Sequence, residues 1–299
     1  MGSIASSDAG DSETQWTLAI DGGFVRGNRK AECSSFEFLT GRLATKGRTP
    51  HVFAFVRNEL PEAVERLATL VCSVTGCAHP KLSLITDGAN GLRTISSRLP
   101  FPVEPVLDWF HISMRVRYLE QIVAGTRAAT VTEKAAKSTL VARVKKLRWC
   151  FWHANVQKAE SRMREILLIC RIVVPETSRF GESLSQLDYR TRELVAYVDC
   201  NGGSTIPYAK RHRAGRSIST AMAESAVNQV LNHRMCKRQQ MRWSPRGAHL
   251  LAQVRCAVIN GDLSERLALF RKRMNELPAE VAAFLGHLQR LEEALPQGF

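Results

Sequence analysis

Two short apolar runs each end on Asp-Gly, LAIDGG at residues 18–23 and LSLITDG at residues 82–88, and they constrain the fold more than any other feature of the chain. Runs of this length bounded by glycine fit buried strands, so the chain must build a sheet that carries acidic residues at strand ends. A carboxylate at such an end is costly to bury unless its charge is stabilised, and a divalent cation is the simplest candidate. Gly22 and Gly23 would also leave room for a phosphate approaching the backbone beside Asp21. The competing reading of each run is a solvated Asp-Gly turn. Two such turns in one sheet are harder to accept, because Asp21 and Asp87 would repel unless doubly charged cations lay between them.

A third acid, Glu224, stands alone on the uncharged stretch ISTAMAESAVNQ, where Ala221, Val227 and Leu231 mark packed faces. It reads as a partner of the helix dipole, a metal ligand or a salt-bridge partner. The last is natural here, since residues 210–255 hold ten Lys and Arg around it.

Periodicity orders the rest. Residues 16–57 alternate apolar and turn-like blocks, predicting three strands in a meander, and residues 61–75 follow with helical spacing opened by Pro61. KLSLIT predicts a fourth strand ending at Asp87, a brief helix spans Leu92 to Leu99, and PVEPVLDWFH predicts a fifth strand with Asp108 near its end. From Ile112 to about Tyr197 the pattern turns into long, basic, helix-period segments, as in an inserted helical domain. In one of these, Val156, Ala159, Met163, Ile166, Leu167 and Cys170 share a face. A helix resumes from Ser219 to Met235, with Ser217, Ser219 or Thr220 as its cap. The expected fold class is α/β, in the order strand, strand, strand, helix, strand, helix, strand, interrupted by an all-helical insertion. The expected divisions are a flexible arm over 1–15, a core in two parts over 16–111 and 213–262, the insertion over 112–212, and a helical tail over 263–299.

With 42 Lys and Arg against 28 Asp and Glu, the chain carries a net charge of +14, which favours a polyanionic partner such as nucleic acid. Eight scattered cysteines without a CxxC pair read as reduced thiols of the cytoplasm. No apolar stretch is long enough for a membrane span, and the first fifteen residues lack the order of a signal peptide. HRMCKRQQMRWSPRGAHLL mixes cations with amides and an indole. Arg234, Lys237, Arg238, Arg242 and Arg246 suit phosphates, Gln240 a base edge and Trp243 a base face. The plainer alternative is a solvated basic helix and a turn. Asp108 with His111, and Cys150 with His153, have ligand-like spacing, but no second pair completes a zinc site, and His111 reads better as a locally hydrogen-bonded residue at a helix entrance.

IDGG, TDGANGL, DWFHI and AESAVNQ, followed by KRQQMRWSPRGAHLL, occur in this order with a helical block between the third and fourth. Over residues 16–271 the chain thereby resembles bacterial insertion-sequence transposases of the ISKra type, members of the DDE superfamily related to Mutator-like elements. The resemblance implies an RNase H-like mixed sheet and a catalytic triad of Asp21, Asp87 and Glu224. It makes Asp108 and His111 an accessory Asp-x-x-His signature that arranges the site or the DNA. It also implies strand cleavage and strand transfer with two Mg2+ ions, for which Mn2+ can substitute, Asp21 bridging both ions. The partners implied are transposon ends and a target duplex, with a homodimer on DNA and a nucleoid-associated place in the cytoplasm. One departure stands out: the first acid falls at position 21, without the N-terminal region that binds element ends, so the chain reads as N-terminally truncated. A DNA-binding remnant without activity, an RNase H-like nuclease without strand transfer, and a structural protein whose acids pair with arginine are the alternatives.

Overall fold

Strand β1 (Gln15–Arg26) is the spine of the molecule, and its alternation assigns its two faces. Trp16, Leu18 and Ile20 point to one side, where they meet Ala63, Val64, Leu67 and Val71 of helix α1 (Leu60–Thr75). Ala19 points to the other. The computed structural model describes residues 14–29, 34–57, 60–172, 178–236 and 241–275. Strands β2 (Ser35–Ala44) and β3 (His51–Val56) continue the meander antiparallel to β1. Strands β4 (Lys81–Thr86) and β5 (Val103–Leu107) join on its other side, both parallel. The result is an α/β fold with a five-stranded mixed sheet in the order β3-β2-β1-β4-β5.

Beyond α1 and the single turn α2 (Asn90–Arg93), the helices described are α3 (Trp109–Gly125), α4 (Val131–Trp152), α5 (Val156–Ile172), α6 (Arg179–Cys200) and α7 (Tyr208–Arg213). After these come α8 (Ala221–Val227), a π-helix (Asn228–Cys236), α9 (Pro245–Asn260) and α10 (Leu263–Asn275). Helix α3 ties the helical block to the sheet: Ile112, Val116, Leu119 and Val123 lie in one continuous core with Ala19, Ile85, Val106 and Leu107 of the strands and with Leu140, Leu147, Met163 and Leu187 of α4 to α6. On α5 most of the expected stripe holds: Ala159, Met163 and Ile166 are fully buried, Val156 and Cys170 pack on the same core, and Leu167 is half-buried outside it.

Four local expectations change. Strand β1 does not stop at Asp21; it runs on to Arg26, because β2 pairs with it along its whole length, from Thr17 opposite Ala44 to Arg26 opposite Ser35. The helix expected over 92–99 is only the turn of α2 followed by bends, and β5 ends at Leu107, so that Asp108 opens α3 instead of closing a strand. The helix expected over 219–235 begins at Ala221 and changes at Asn228 to π-type turns. At edge strand β3, side chains of α9 take up outward backbone groups: Asn260 accepts from Val52 N and donates to Val52 O, both at 2.8 Å, and Gln253 donates to Ala54 O at 2.6 Å. The exposed edge of the sheet is thereby closed to pairing with another chain.

Gly22 and Gly23 leave no room for a phosphate; they leave room for protein. A Cβ on Gly23 would lie 2.5 Å from Leu231 Cδ1 and 3.5 Å from Val227 Cγ1, and one on Gly22 would lie 2.7 Å from Glu37 Oε1. Glycine at 23 thus lets α8 and the π-helix settle directly on β1, two residues from Asp21. Gly23→Val is expected to destabilise the protein by about 1–3 kcal/mol, the usual cost of overpacking a filled core. Urea unfolding will measure it, and an unchanged midpoint would mean that this helix does not rest on β1.

Candidate active site

Strand register brings the two aspartates together. Strand β1 pairs with β4 only as far as Ala19 opposite Ile85, and the same register carried two residues further sets Asp21 beside Asp87. Beyond Asp87 the chain turns sharply through Gly88, whose φ is +80° and where a Cβ would meet Leu107 Cδ1 at 2.7 Å. The Asp87 carboxylate accepts from Ala89 N at 2.9 Å, which fixes the turn. Helix α6 fastens the same turn from the side: the Tyr197 hydroxyl donates to Asp87 O at 2.7 Å, and its ring lies under the Arg115 guanidinium at 4.2 Å. Glu224 comes from α8, on the side of the sheet that Gly23 opens.

The charges of Asp87 and Glu224 both act on Asp21. Burial pushes the Asp21 carboxyl up to about 6, and the charges of Asp87 and then Glu224 add to the effect, against a hydrogen bond from the Gly22 backbone. Among the described residues no Lys or Arg forms an ion pair with any of the three, although the chain has 42 of them. Of the readings open for Glu224, the salt-bridge partner therefore has no support among the described residues. Also among these residues, no three His, Cys, Asp and Glu side chains stand close enough together to hold a metal ion as they are placed. The two findings differ in range: Coulombic coupling reaches across several ångströms of low dielectric, whereas ligation requires oxygens about 2.0–2.6 Å from one point. The three acids are thus within reach of one another's charge without their oxygens meeting at one point. An all-oxygen set of acids with no Lys or Arg ion pair among the described residues fits a hard divalent ion in donor chemistry.

Asp108 and His111 serve a different end. Asp108 is fully buried and caps α3, accepting from Phe110 N at 2.7 Å, from His111 Nδ1 at 2.8 Å and from the Thr220 hydroxyl at 2.6 Å. Burial alone would raise its pKa, but these bonds, from His111 first, hold it below the ordinary carboxylate range. Its bond raises His111 in turn, against the effect of burial, with help from the charges of Asp108, Asp87 and Glu224. Thr220 stands at the cap position of α8 yet makes no side-chain cap bond; its hydroxyl is committed to Asp108. Trp109 N donates to Ile218 O at 3.0 Å and doubles the connection. The start of α3 is thus riveted to the start of the helix that carries Glu224, with His111 within the electrostatic reach of both Asp87 and Glu224.

The basic segment is described in part. Arg234, Arg242 and Arg246 are exposed, whereas Lys237, Arg238 and Gln240 lie outside the described residues. Trp243 is not a free platform: its backbone pairs with Arg26 O and Asn28 N, its ring packs on the core patch of Val25 and Leu231, and Arg234 lies 5.9 Å from it. Cys150 is buried, and the His153 ring lies tilted against Trp149, with centroids 4.5 Å apart. Tyr197, the Asp108–Thr220 bond and the use of Gly23 leave no local mark in sequence, since each depends on a partner far along the chain. The chain matches no family model, no curated protein and no solved structure.

Two outcomes follow from this geometry. Thr220→Val should cost about 1–3 kcal/mol by leaving a buried carboxylate short of a donor, while Thr220→Ser should restore most of it; chemical denaturation of both variants checks this. Asp21 takes up a proton on folding, which favours the fold below about pH 4 and ceases to do so as pH rises through 6. In chelating buffer at pH 8, Asp21→Asn should therefore be more stable than the parent by on the order of 1 kcal/mol, allowing for partial exposure, and equal to it near pH 4. A variant that is less stable than the parent at pH 8 would contradict the assigned burial of charge.

Proposed function

We propose that this protein is the catalytic core of an insertion-sequence transposase of the DDE class, an RNase H-like enzyme that cleaves DNA and joins the freed end to a target. The observation that carries the reading is the electrostatic grouping of Asp21, Asp87 and Glu224 from three separate elements, one of them raised to about 6 by burial and by its neighbours. The strand order, with an antiparallel meander followed by two parallel strands, supports an RNase H-like topology. So does the entry of a long helical block between β5 and the helix of Glu224.

In this reading Asp21, Asp87 and Glu224 hold Mg2+, or Mn2+ in its place, and two such ions are expected. Bound magnesium would neutralise charge on the scissile phosphate and acidify the attacking water. The chain's own residues do the positioning. Tyr197 and Gly88 hold the backbone of Asp87, Gly23 seats α8 against β1, and the Asp108 carboxylate holds Thr220 and His111 in fixed relation. His111, raised by Asp108, can donate a hydrogen bond or carry positive charge at the rim of the acids. The exposed Arg234, Arg242 and Arg246 supply phosphate contacts beyond the site, consistent with a net charge of +14. Transposon ends and a target duplex are the partners, with two copies of the chain bridging two ends on the nucleoid. No helix among the described residues is long and apolar enough to cross a membrane.

The test is cleavage of a labelled duplex in Mg2+ or Mn2+, followed by joining of its 3′ end to a second duplex. Asp21→Asn, Asp87→Asn and Glu224→Gln should each lower the rate by about 10²-fold or more, as loss of a preorganised charge in a catalytic site does. Products that are cut and never joined would reduce the activity to hydrolysis. Cleavage equal in parent and variants, or none under any metal, would refute the catalytic reading.

A further inference from the structure

At the opposite end of β5 from Asp108, cations outnumber the acid that they share. Glu104 Oε2 accepts from Arg211 Nη1 at 2.9 Å, from Arg216 Nη2 at 2.6 Å and from the Ser83 hydroxyl at 2.6 Å. Arg211 Nε donates to Ser217 O at 2.6 Å. These bonds leave Arg211 Nη2 and Arg216 Nε, both shielded from solvent, without an acceptor. The Arg211 side chain is only 3% exposed, and burial followed by the Arg216 charge lowers its pKa. Lys210, Arg211 and Arg216 line a cavity of about 220 Å³, whose wall also includes Glu104, Ile206 and Pro207. Three cations stand against one carboxylate there, an excess of two positive charges.

An excess of positive charge in the wall of a cavity favours an anion, and a phosphate, which accepts several hydrogen bonds at once from guanidinium and ammonium groups, suits such a wall best. We propose that Lys210, Arg211 and Arg216 form a phosphate-binding site in this cavity. Its occupant is a phosphate group, either from the backbone of a nucleic acid crossing this end of the sheet or free in solution. The site stands on its own geometry and does not depend on strand cleavage. It is nonetheless connected to the acids. The segment that leaves Arg216 passes through Ser217, held by Arg211, and Ile218, held by Trp109, to Thr220 and the helix of Glu224.

Competition with Glu104 gives the test its sign. Titration calorimetry of the full chain with potassium phosphate, against potassium chloride at equal ionic strength, should show saturable phosphate binding. Lys210→Ala, an exposed position where folding is not at risk, should weaken it about tenfold, and Glu104→Gln, which removes the competing carboxylate, should tighten it about tenfold. Circular dichroism reports whether Glu104→Gln folds; where it does not, Lys210→Ala decides. A second arm follows a fluorescent duplex by anisotropy. Displacement of the duplex by phosphate, with a log-log salt slope shallower by about one in Lys210→Ala, identifies a backbone phosphate. Phosphate binding that leaves duplex affinity untouched identifies free phosphate. No binding beyond that of chloride, or equal binding in the parent and Lys210→Ala, overturns the proposal, whatever the cleavage assay shows.

Discussion

The buried carboxylate of Asp108 is the interaction on which the rest of the structure depends. A fully desolvated charge persists only where donors surround it, and here the donors come from three sources: the first turn of α3, the His111 ring and the Thr220 hydroxyl. Since the last is 112 residues away in sequence, satisfying this one group fixes where the chain must return after the helical block. The energetic need of a single acid thus becomes a geometric constraint on another, Glu224, four residues beyond Thr220. Polar networks of this kind are specific because partial satisfaction is worse than none.

The second constraint is repulsion. Asp21 follows the fully buried Leu18, Ala19 and Ile20 of β1, and its carboxyl is raised by burial and by two other acids. A fold gains nothing in stability from such an arrangement, and sites where stability is given up are where function is expected. Basic residues are plentiful elsewhere, in pairs such as Arg57 with Glu37 and Arg143 with Glu165, and at the Glu104 cluster two of them share a single acid. Among the described residues none of these Lys and Arg forms an ion pair with the three grouped acids, and His111 is a group whose charge offsets theirs in part.

Much of this was legible in the sequence, for definable reasons. The strands, α1 and the buried stripe of α5 follow from local period, and Asp21, Asp87 and Glu224 were conspicuous because they interrupt apolar runs. What local pattern cannot express was lost. Gly22 and Gly23 look like a turn, and only the partner strand β2 keeps them extended. Thr220 looks like an ordinary cap, and only Asp108 diverts it. The passage from α-helix to π-helix at Asn228 leaves the apolar spacing of that segment nearly unaltered, so composition does not reveal it. Trp243 resembles a stacking residue because its burial depends on the far end of β1.

Tyr197 carries a further consequence. Its hydroxyl reaches the carbonyl of Asp87 from deep within the helical block, and that block shares one core with the strands. The block is therefore no detachable module, and a descendant that trimmed or exchanged it would have to reinvent a buttress for the loop beyond β4. A change in the block that displaced the end of α6 would therefore also displace the turn that carries Asp87.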